Sequence, residues 1–236
     1  WMASNDNGLV ASLYSASSVD AKVGNGTHVT IKEESNYPFE EQIRFTVTPD
    51  KQTAFPFYLR IPEWCARPTL SINGQNVNLG RMSSGYARIN RNWKSGDKVT
   101  LNLPMQIKTE LWTQNQNSLS VNYGPLTFSL NLGEEVTKFD SSKTALYDSQ
   151  WQPGLDTSKW PAYEYMPKSA WNYALAIDPK NPAASLKVVK KAWPKSGFPF
   201  TLGEVPISIQ AKGAQLPAWR SFRFRHGRPR RSNRAH

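Results

Sequence analysis

The sequence predicts an all-β protein built from two consecutive antiparallel β-sandwiches of the jelly-roll-like type. Three observations support this fold class. Short segments alternate between apolar and polar residues with a period of two, which is typical of half-buried antiparallel strands. The 236 residues include 17 Pro and 14 Gly, a content that disfavours long helices. Turn sequences separate the alternating segments at short intervals, as they do in sandwiches.

Seven alternating segments in the first half of the chain predict the strands of a first sandwich. They lie at 9–14, 27–34, 42–48, 55–61, 69–74, 86–90 and 97–103. Between two short alternating runs, the segment SINGQNV contains Asn73-Gly74. This dipeptide favours a type I′ turn, in which both central residues have positive φ. We therefore expect a tight hairpin at this position.

The second half of the chain contains further strand-like segments, separated by long loops. These segments are MQIKTELW (105–112), SLSVNYGPLTFSLNLG (118–133), 163–177, 185–193 and 204–216. Around them the alternation weakens, which predicts a second β module with less regular connections. We expect β-sandwich I over residues 1–110, β-sandwich II with long loops over 111–218, and a basic tail over 219–236 that is disordered or non-native.

The net charge of +11 is concentrated in this tail. Seven of the 29 basic residues are arginines between positions 220 and 234, where no acidic residue occurs. The rest of the chain has 22 basic against 18 acidic residues and is only mildly basic. An arginine-rich tail binds phosphate backbones through charge alone. We therefore expect nucleic acid to be bound only non-specifically and only through the tail.

Several classes of protein are disfavoured by what the sequence lacks. The single cysteine, Cys65, excludes an internal disulfide, and three distant histidines, His28, His226 and His236, predict no metal site. No phosphate-binding glycine loop is present, so no cofactor is implied. No segment reaches the roughly 20 apolar residues of a membrane helix, and no membrane association is expected. The first residues, WMASNDNG, lack signal-peptide features, so any leader is expected upstream.

No catalytic residue is predicted within this chain. Glycoside hydrolysis needs two carboxyl groups facing one bond. The adjacent acids are Glu33-Glu34, Glu40-Glu41 and Glu134-Glu135. Neighbouring residues on a strand point to opposite faces, so each doublet is expected at a solvated edge instead. Cys65 has no histidine nearby in sequence and is expected to be a semi-buried packing residue.

Aromatic residues supply the candidates for ligand binding, because indole and phenol rings stack on the apolar faces of sugars. The chain has nine Trp and nine Tyr. The sugar-binding candidates are Trp112, Tyr123, Trp151, Trp160, Trp171 and Tyr173. Packing in a core or between domains is the favoured role for any single one of them, because a large ring also contributes much buried area.

Five segments, in order, resemble the C-terminal region of glycoside hydrolase family 127, which includes β-L-arabinofuranosidase-like enzymes. These segments are ESNYPFEEQIRFTV (34–47), FPFYLRIPEWC (55–65), INGQ (72–75), GYARINRNWKSGDKVTLNLPM (85–105) and SLSVNYGPLTFSL (118–130). The resemblance covers residues 8–131 and continues weakly to about residue 219. The tail beyond that position does not fit the family.

The resemblance implies an α/α barrel followed by two β-sandwiches, of which this chain carries only the sandwiches. In such enzymes a cysteine nucleophile, a zinc ion held by further cysteines and a glutamate, and a second glutamate all belong to the barrel. No position of this sequence corresponds to them. Cys65 lies in the segment FPFYLRIPEWC and does not inherit the role of nucleophile.

The expected function is therefore that of a non-catalytic accessory β-sandwich region of a carbohydrate-active enzyme, which supports the barrel and contacts sugar. A stand-alone carbohydrate-binding module and an autonomous glycosidase with an unrecognised site are the alternatives. Expected partners are a plant-type polysaccharide or oligosaccharide, the missing barrel, or a second copy bound through an exposed apolar face. The resemblance implies a bacterial parent, periplasmic or extracellular if it is secreted.

Overall fold

A computed structural model of the chain describes residues 1–79, 82, 84–115, 117–139, 156–159, 161–178, 180–201 and 203–219. Its regular structure is almost entirely β, and most paired strands are antiparallel, which confirms the predicted fold class. The chain divides into two compact units. The first comprises Trp1–Phe128 and Lys180–Gln210, and the second comprises Ser129–Pro179 and Ala211–His236.

Two sheets of the first unit form a sandwich. The four-stranded sheet has the order β1 (Met2–Ala3), β2 (Leu9–Ala11), β6 (Thr53–Arg60) and β9 (Tyr86–Trp93). The six-stranded sheet has the order β3 (Ser17–Val23), β4 (Thr27–Ser35), β5 (Gln42–Pro49), β10 (Asp97–Asn102), β7 (Thr69–Ile72) and β8 (Gln75–Val77). The β2–β6 pair is parallel, whereas the pairs within the six-stranded sheet are antiparallel.

The inner faces of these two sheets share one apolar core. Phe57 and Trp93 from the four-stranded sheet pack with Phe45 from the six-stranded sheet, and all three are at most 1% exposed. The Trp93 indole Nε1 also donates a hydrogen bond to the carbonyl oxygen of Phe55 at 3.0 Å. Burying an aromatic side chain in this way stabilises the fold by roughly 2–3 kcal/mol. The apolar positions of the period-two pattern are therefore the positions that build this core.

The hairpin predicted at Asn73-Gly74 is confirmed. Strands β7 and β8 pair with Ile72 opposite Gln75, and φ is 52° at Asn73 and 79° at Gly74. The Asn73 side chain reinforces the turn, because its Nδ2 donates to Asp97 Oδ1 at 2.7 Å. The turn is thereby fixed to the start of β10.

The remainder of the first unit surrounds a smaller core cluster. A three-stranded antiparallel sheet has the order β11 (Ile107–Trp112), β12 (Ser118–Tyr123) and β13 (Leu126–Phe128), and β17 (Leu186–Lys190) pairs with β18 (Ile207–Ala211). We call the apolar group between these elements the second core cluster. Its buried members are Phe39, Met105, Tyr123 and Ile207.

The described part of the second unit contains two short pairs of antiparallel strands. Strand β14 (Glu134–Phe139) pairs with β15 (Ala162–Pro167), and β16 (Tyr173–Leu175) pairs with β19 (Gly213–Gln215). Most side chains of β15, β16 and β19 are exposed. In the described part of both units, no helix is long and apolar enough to cross a membrane.

Candidate functional site

Glu33 is a buried carboxyl group on the inner face of the sandwich. It follows Val29 and Ile31 along β4, and residues two apart on a strand share a face. The residue is only 1% exposed, whereas its neighbour Glu34 is exposed and pairs with Lys32 at 3.0 Å. The expectation of a solvated edge is therefore wrong for Glu33, because the inward parity of β4 continues through position 33.

The Glu33 carboxylate is held by groups at the start of β3. The backbone N–H of Ser15 donates to Oε1 at 2.8 Å, and Ser17 Oγ lies 3.5 Å from Oε2. The Ser17 hydroxyl is closer to the carbonyl oxygen of Ser15, at 2.8 Å. Burial raises the pKa of Glu33 to about 7, and the contacts with Ser15 and Ser17 oppose this shift only in part. Glu33 is therefore partly protonated near neutral pH.

A shallow depression of about 600 Å³ lies beside Glu33 and is open to solvent. Most of the residues around it are polar, although the surface that they present to the depression is mainly apolar. Besides Glu33 and Glu34 these residues include Ser17, Ser18, Thr30, Lys32, Ser35 and Asn36. These side chains provide hydrogen-bond donors and acceptors for a hydroxyl-rich ligand.

The depression does not bring together a catalytic pair of carboxylates from Glu33 and Glu34. These two residues lie on opposite faces of β4, and Glu34 is paired with Lys32. Acid and nucleophile or base must instead flank one glycosidic bond from facing positions. The local chemistry that remains is hydrogen bonding and the uptake or release of one proton at Glu33.

The other acidic doublets and Cys65 also take structural positions. Glu41 accepts hydrogen bonds from the Met105 backbone N–H at 2.9 Å and from the Tyr123 hydroxyl at 3.4 Å, and Glu134-Glu135 are exposed.

Cys65 is 6% exposed in the sandwich core, where burial raises the pKa of its thiol. The described residues contain no group of three His, Cys, Asp or Glu that could hold a metal ion.

The aromatic candidates occupy contrasting environments. The ring of Trp112 is half exposed, and its Nε1 donates to Ser120 Oγ at 3.2 Å. Tyr123 is 8% exposed and belongs to the second core cluster. Trp171 and Tyr173 are exposed residues of the second unit.

The four described candidates are divided between the two units. Trp112 and Tyr123 belong to the first unit, whereas Trp171 and Tyr173 belong to the second. Trp151 and Trp160 lie outside the described residues, as does the tail from residue 220 onward. Sugar contact by any of the six stays a prediction.

Comparison with known proteins identifies the first sandwich. A family model described as beta-L-arabinofuranosidase, GH127 middle domain, matches residues 8–105. A GH127 β-L-arabinofuranosidase from Geobacillus stearothermophilus T6 shares this fold at 24% identity with a TM-score of 0.50, covering 70% of this chain and 31% of that one. This chain thus spans about a third of that enzyme's length. A search of curated proteins found no match.

Two further solved structures are similar to shorter or longer parts of this chain. One is described as a glycoside hydrolase, with 32% identity over 52% of this chain and 21% of that chain, at a TM-score of 0.47. The other is a GH127 β-arabinofuranosidase, with 19% identity over 89% of this chain and 31% of that chain, at a TM-score of 0.49.

The matched residues 8–105 contain strands β2 to β10, which build nearly the whole sandwich. They also contain Glu33 and four of the five segments on which the sequence resemblance depends. The family resemblance predicted from the sequence is thereby confirmed: residues 8–105 form a GH127-like region, similar to the middle domain that the family model describes.

Proposed function

We propose that this chain is a non-catalytic accessory region of a GH127-like glycoside hydrolase, which supports a catalytic portion and makes secondary contact with sugar. The observation that supports this most strongly is that the middle-domain match coincides with a sandwich whose core is closed. Such a core is rigid because its side chains are close-packed. A rigid body is suited to holding a neighbouring domain in place.

The use of the carboxyl groups in the first unit supports a structural role. The buried Glu33 and Asp97 and the half-buried Glu41 each accept a hydrogen bond from a nearby backbone N–H. These donors belong to Ser15, Lys94 and Met105, respectively. A carboxylate that satisfies the protein's own backbone fixes loop conformation. Their contacts are therefore those of fold-stabilising groups.

The proposed substrate of the parent enzyme is a glycan that contains arabinofuranose. This class follows from the description of the matching family and from the name of a similar structure. Within this chain, sugar contact is assigned to exposed aromatic side chains, which offer a flat apolar face beside hydrogen-bonding groups.

The supporting role is tested by a deletion and a replacement in the Geobacillus enzyme. Removing the segment that matches residues 8–105 should lower its melting temperature and its hydrolysis of a β-L-arabinofuranoside. Inserting residues 8–105 of this chain should restore part of both. A replacement segment with the exposed β4 residue changed, Glu34→Gln, serves as the matched control, and it should restore stability and hydrolysis as fully as the unmodified segment does.

Two results would contradict the supporting role. The deleted enzyme could prove as stable and as active as the intact one, in which case this segment would not support the catalytic portion. Alternatively, the segment of this chain could fold within the replacement, as judged by circular dichroism, and still restore neither stability nor hydrolysis.

A further inference from the structure

The outer face of the three-stranded sheet displays one tryptophan among polar side chains. Residues two apart on β11 share a face, and so do the residues directly opposite them on β12. In the observed register, Lys108 lies opposite Asn122, Glu110 opposite Ser120, and Trp112 opposite Ser118. All three β11 residues are exposed. We call this surface the Trp112 face.

The opposite face of the same sheet is used for packing. It presents Val121 and Tyr123 of β12, which are buried, and Phe128 of β13, which packs against the second core cluster. This side of the sheet is buried around Val121 and Tyr123, although Leu111 near the end of β11 is exposed on it, whereas the Trp112 face is open to a ligand. An alternating pattern with this outcome is typical of an antiparallel sheet at a protein surface.

The indole of Trp112 is held in a defined orientation. Its Nε1 donates to Ser120 Oγ at 3.2 Å, and Ser120 is the diagonal neighbour of Trp112 across the two strands. This bond draws the ring along the sheet toward Glu110, although the residue remains 51% exposed. A ring that is positioned before binding loses little conformational freedom when a ligand stacks on it.

Hydrogen-bonding groups lie along the direction in which the ring is held. Glu110 supplies a carboxylate, and Asn122 supplies an amide whose oxygen already accepts a hydrogen bond from Thr127 Oγ1 at 2.7 Å. The Thr127 hydroxyl thereby fixes the Asn122 amide with its nitrogen available to donate. A ligand that stacks on Trp112 can thus meet both an acceptor and a donor.

The charge of the Trp112 face selects the class of ligand. Lys108 and Glu110 carry opposite charges, and the other named side chains are neutral. A face without net charge lacks the cluster of cations that binds phosphate backbones or anionic lipids. Its combination of an aromatic ring, an acceptor and a donor instead suits a neutral molecule rich in hydroxyl groups.

We propose that the Trp112 face binds a neutral oligosaccharide, whose sugar ring stacks on Trp112 while its hydroxyl groups bond to Glu110 and Asn122. The choice of ligand class rests on the proposed function, whereas the position of the site rests on the strand register and on the Trp112–Ser120 hydrogen bond. The site is open and shallow, so we expect weak binding, with a Kd on the order of 1 mM.

Affinity electrophoresis of the full chain in gels that contain soluble arabinan or arabinoxylan tests this site. The unmodified chain should be retarded, and Trp112→Ala should weaken binding about tenfold or more because the stacking surface is lost. Trp112→Tyr should restore part of the retardation. Leu111→Ala is the matched control, since it removes an exposed apolar side chain from the other face of the same strand and should leave retardation unchanged.

Several results would overturn the proposal. One is a chain that is folded by circular dichroism and is not retarded by either polysaccharide. Another is equal retardation of the unmodified chain and Trp112→Ala. A third is an equal loss of retardation caused by Leu111→Ala. Sedimentation adds a fourth: if Trp112→Ala converts an oligomer to a monomer without affecting sugar retardation, the face is an interface between copies. The electrophoresis measures sugar binding, whereas the deletion and replacement experiment measures stability and hydrolysis. The binding site can therefore be refuted while the supporting role holds, or the reverse.

Discussion

Replacing Glu33 by Gln should remove a pH-dependent loss of stability from the first unit. The carboxyl group is 1% exposed, and its pKa is raised by burial from 4.5 to about 7. A raised pKa means that the folded state binds the proton more tightly than the unfolded state does. The stabilisation is therefore complete below the ordinary pKa and is lost as the pH rises through about 7.

The size of this effect follows from the shift itself. A difference of about 2.5 pKa units corresponds to about 3 kcal/mol between the fully protonated and fully ionised limits. Because part of the loss has already occurred at pH 5, the change between pH 5 and pH 8.5 should be about 2 to 3 kcal/mol. The variant Glu33→Gln keeps an acceptor for the Ser15 backbone N–H and lacks the ionisation.

The assay is urea-induced unfolding of the unmodified chain and of Glu33→Gln at a series of pH values, followed by tryptophan fluorescence. The stability of the variant relative to the unmodified chain should rise by about 2 to 3 kcal/mol from pH 5 to pH 8.5. Glu34→Gln is the control, because Glu34 is exposed on the opposite face of β4, and it should leave the pH profile unchanged. Parallel profiles for the unmodified chain and Glu33→Gln would refute the reasoning.

Three further predictions concern the sandwich. Asp97→Ala should lower the free energy of unfolding by about 2 to 4 kcal/mol at pH 7, since Asp97 accepts a hydrogen bond from the Lys94 backbone N–H at 2.9 Å. Burial of Asp97 acts against its ionisation, but its hydrogen bonds hold the pKa of Asp97 below its ordinary value. The stabilisation by Asp97 should therefore disappear as the pH falls through that lowered pKa. An unchanged midpoint of urea unfolding in Asp97→Ala would contradict this. Gly8→Ala should destabilise or displace β2, because a Cβ there would clash with the carbonyl oxygen of Pro56. An unaltered melting temperature would show that the contact relaxes freely. The buried Cys65 thiol should react with a water-soluble disulfide reagent only slowly until denaturant is added, whereas equal rates in both conditions would show that it is accessible.

Local patterns were sufficient to predict most strands of the sandwich. The segment expected at 42–48 corresponds to β5 at Gln42–Pro49, and that expected at 97–103 corresponds to β10 at Asp97–Asn102. Strand β3 at Ser17–Val23 was not predicted, although Val19, Ala21 and Val23 alternate with polar residues along it. Its position depends on pairing with β4, which brings Ser17 opposite Glu33. Such pairing is a tertiary property that a single-segment pattern does not contain.

The burial of Glu33 was accessible from strand parity, whereas its environment was not. Positions 29, 31 and 33 share a face of β4, so an inward Glu33 follows from the alternation alone. Its hydrogen-bond partners lie 16 and 18 residues earlier in the chain and become neighbours only through the β3–β4 pairing. The raised pKa depends on that assembled environment.

The exposure of individual aromatic residues was likewise beyond a sequence pattern. Trp93 and Trp112 each end a strand, yet Trp93 is fully buried and Trp112 is 51% exposed. The difference arises because the face that contains Trp93 is covered by the six-stranded sheet, whereas the outer face of β11 is not covered by the elements that pack on its other side. Alternation assigns residues to faces and does not state which face will be covered.

Hydrolysis by the purified chain is the measurement that tests the central claim most directly. The chain and the intact Geobacillus enzyme would be incubated with the same chromogenic β-L-arabinofuranoside at equal molar concentration. The account predicts product release by the intact enzyme and a rate at the buffer background for this chain. Turnover by this chain that is abolished in Glu33→Gln, with the variant still folded, would contradict it and would place the chemistry within the sandwich.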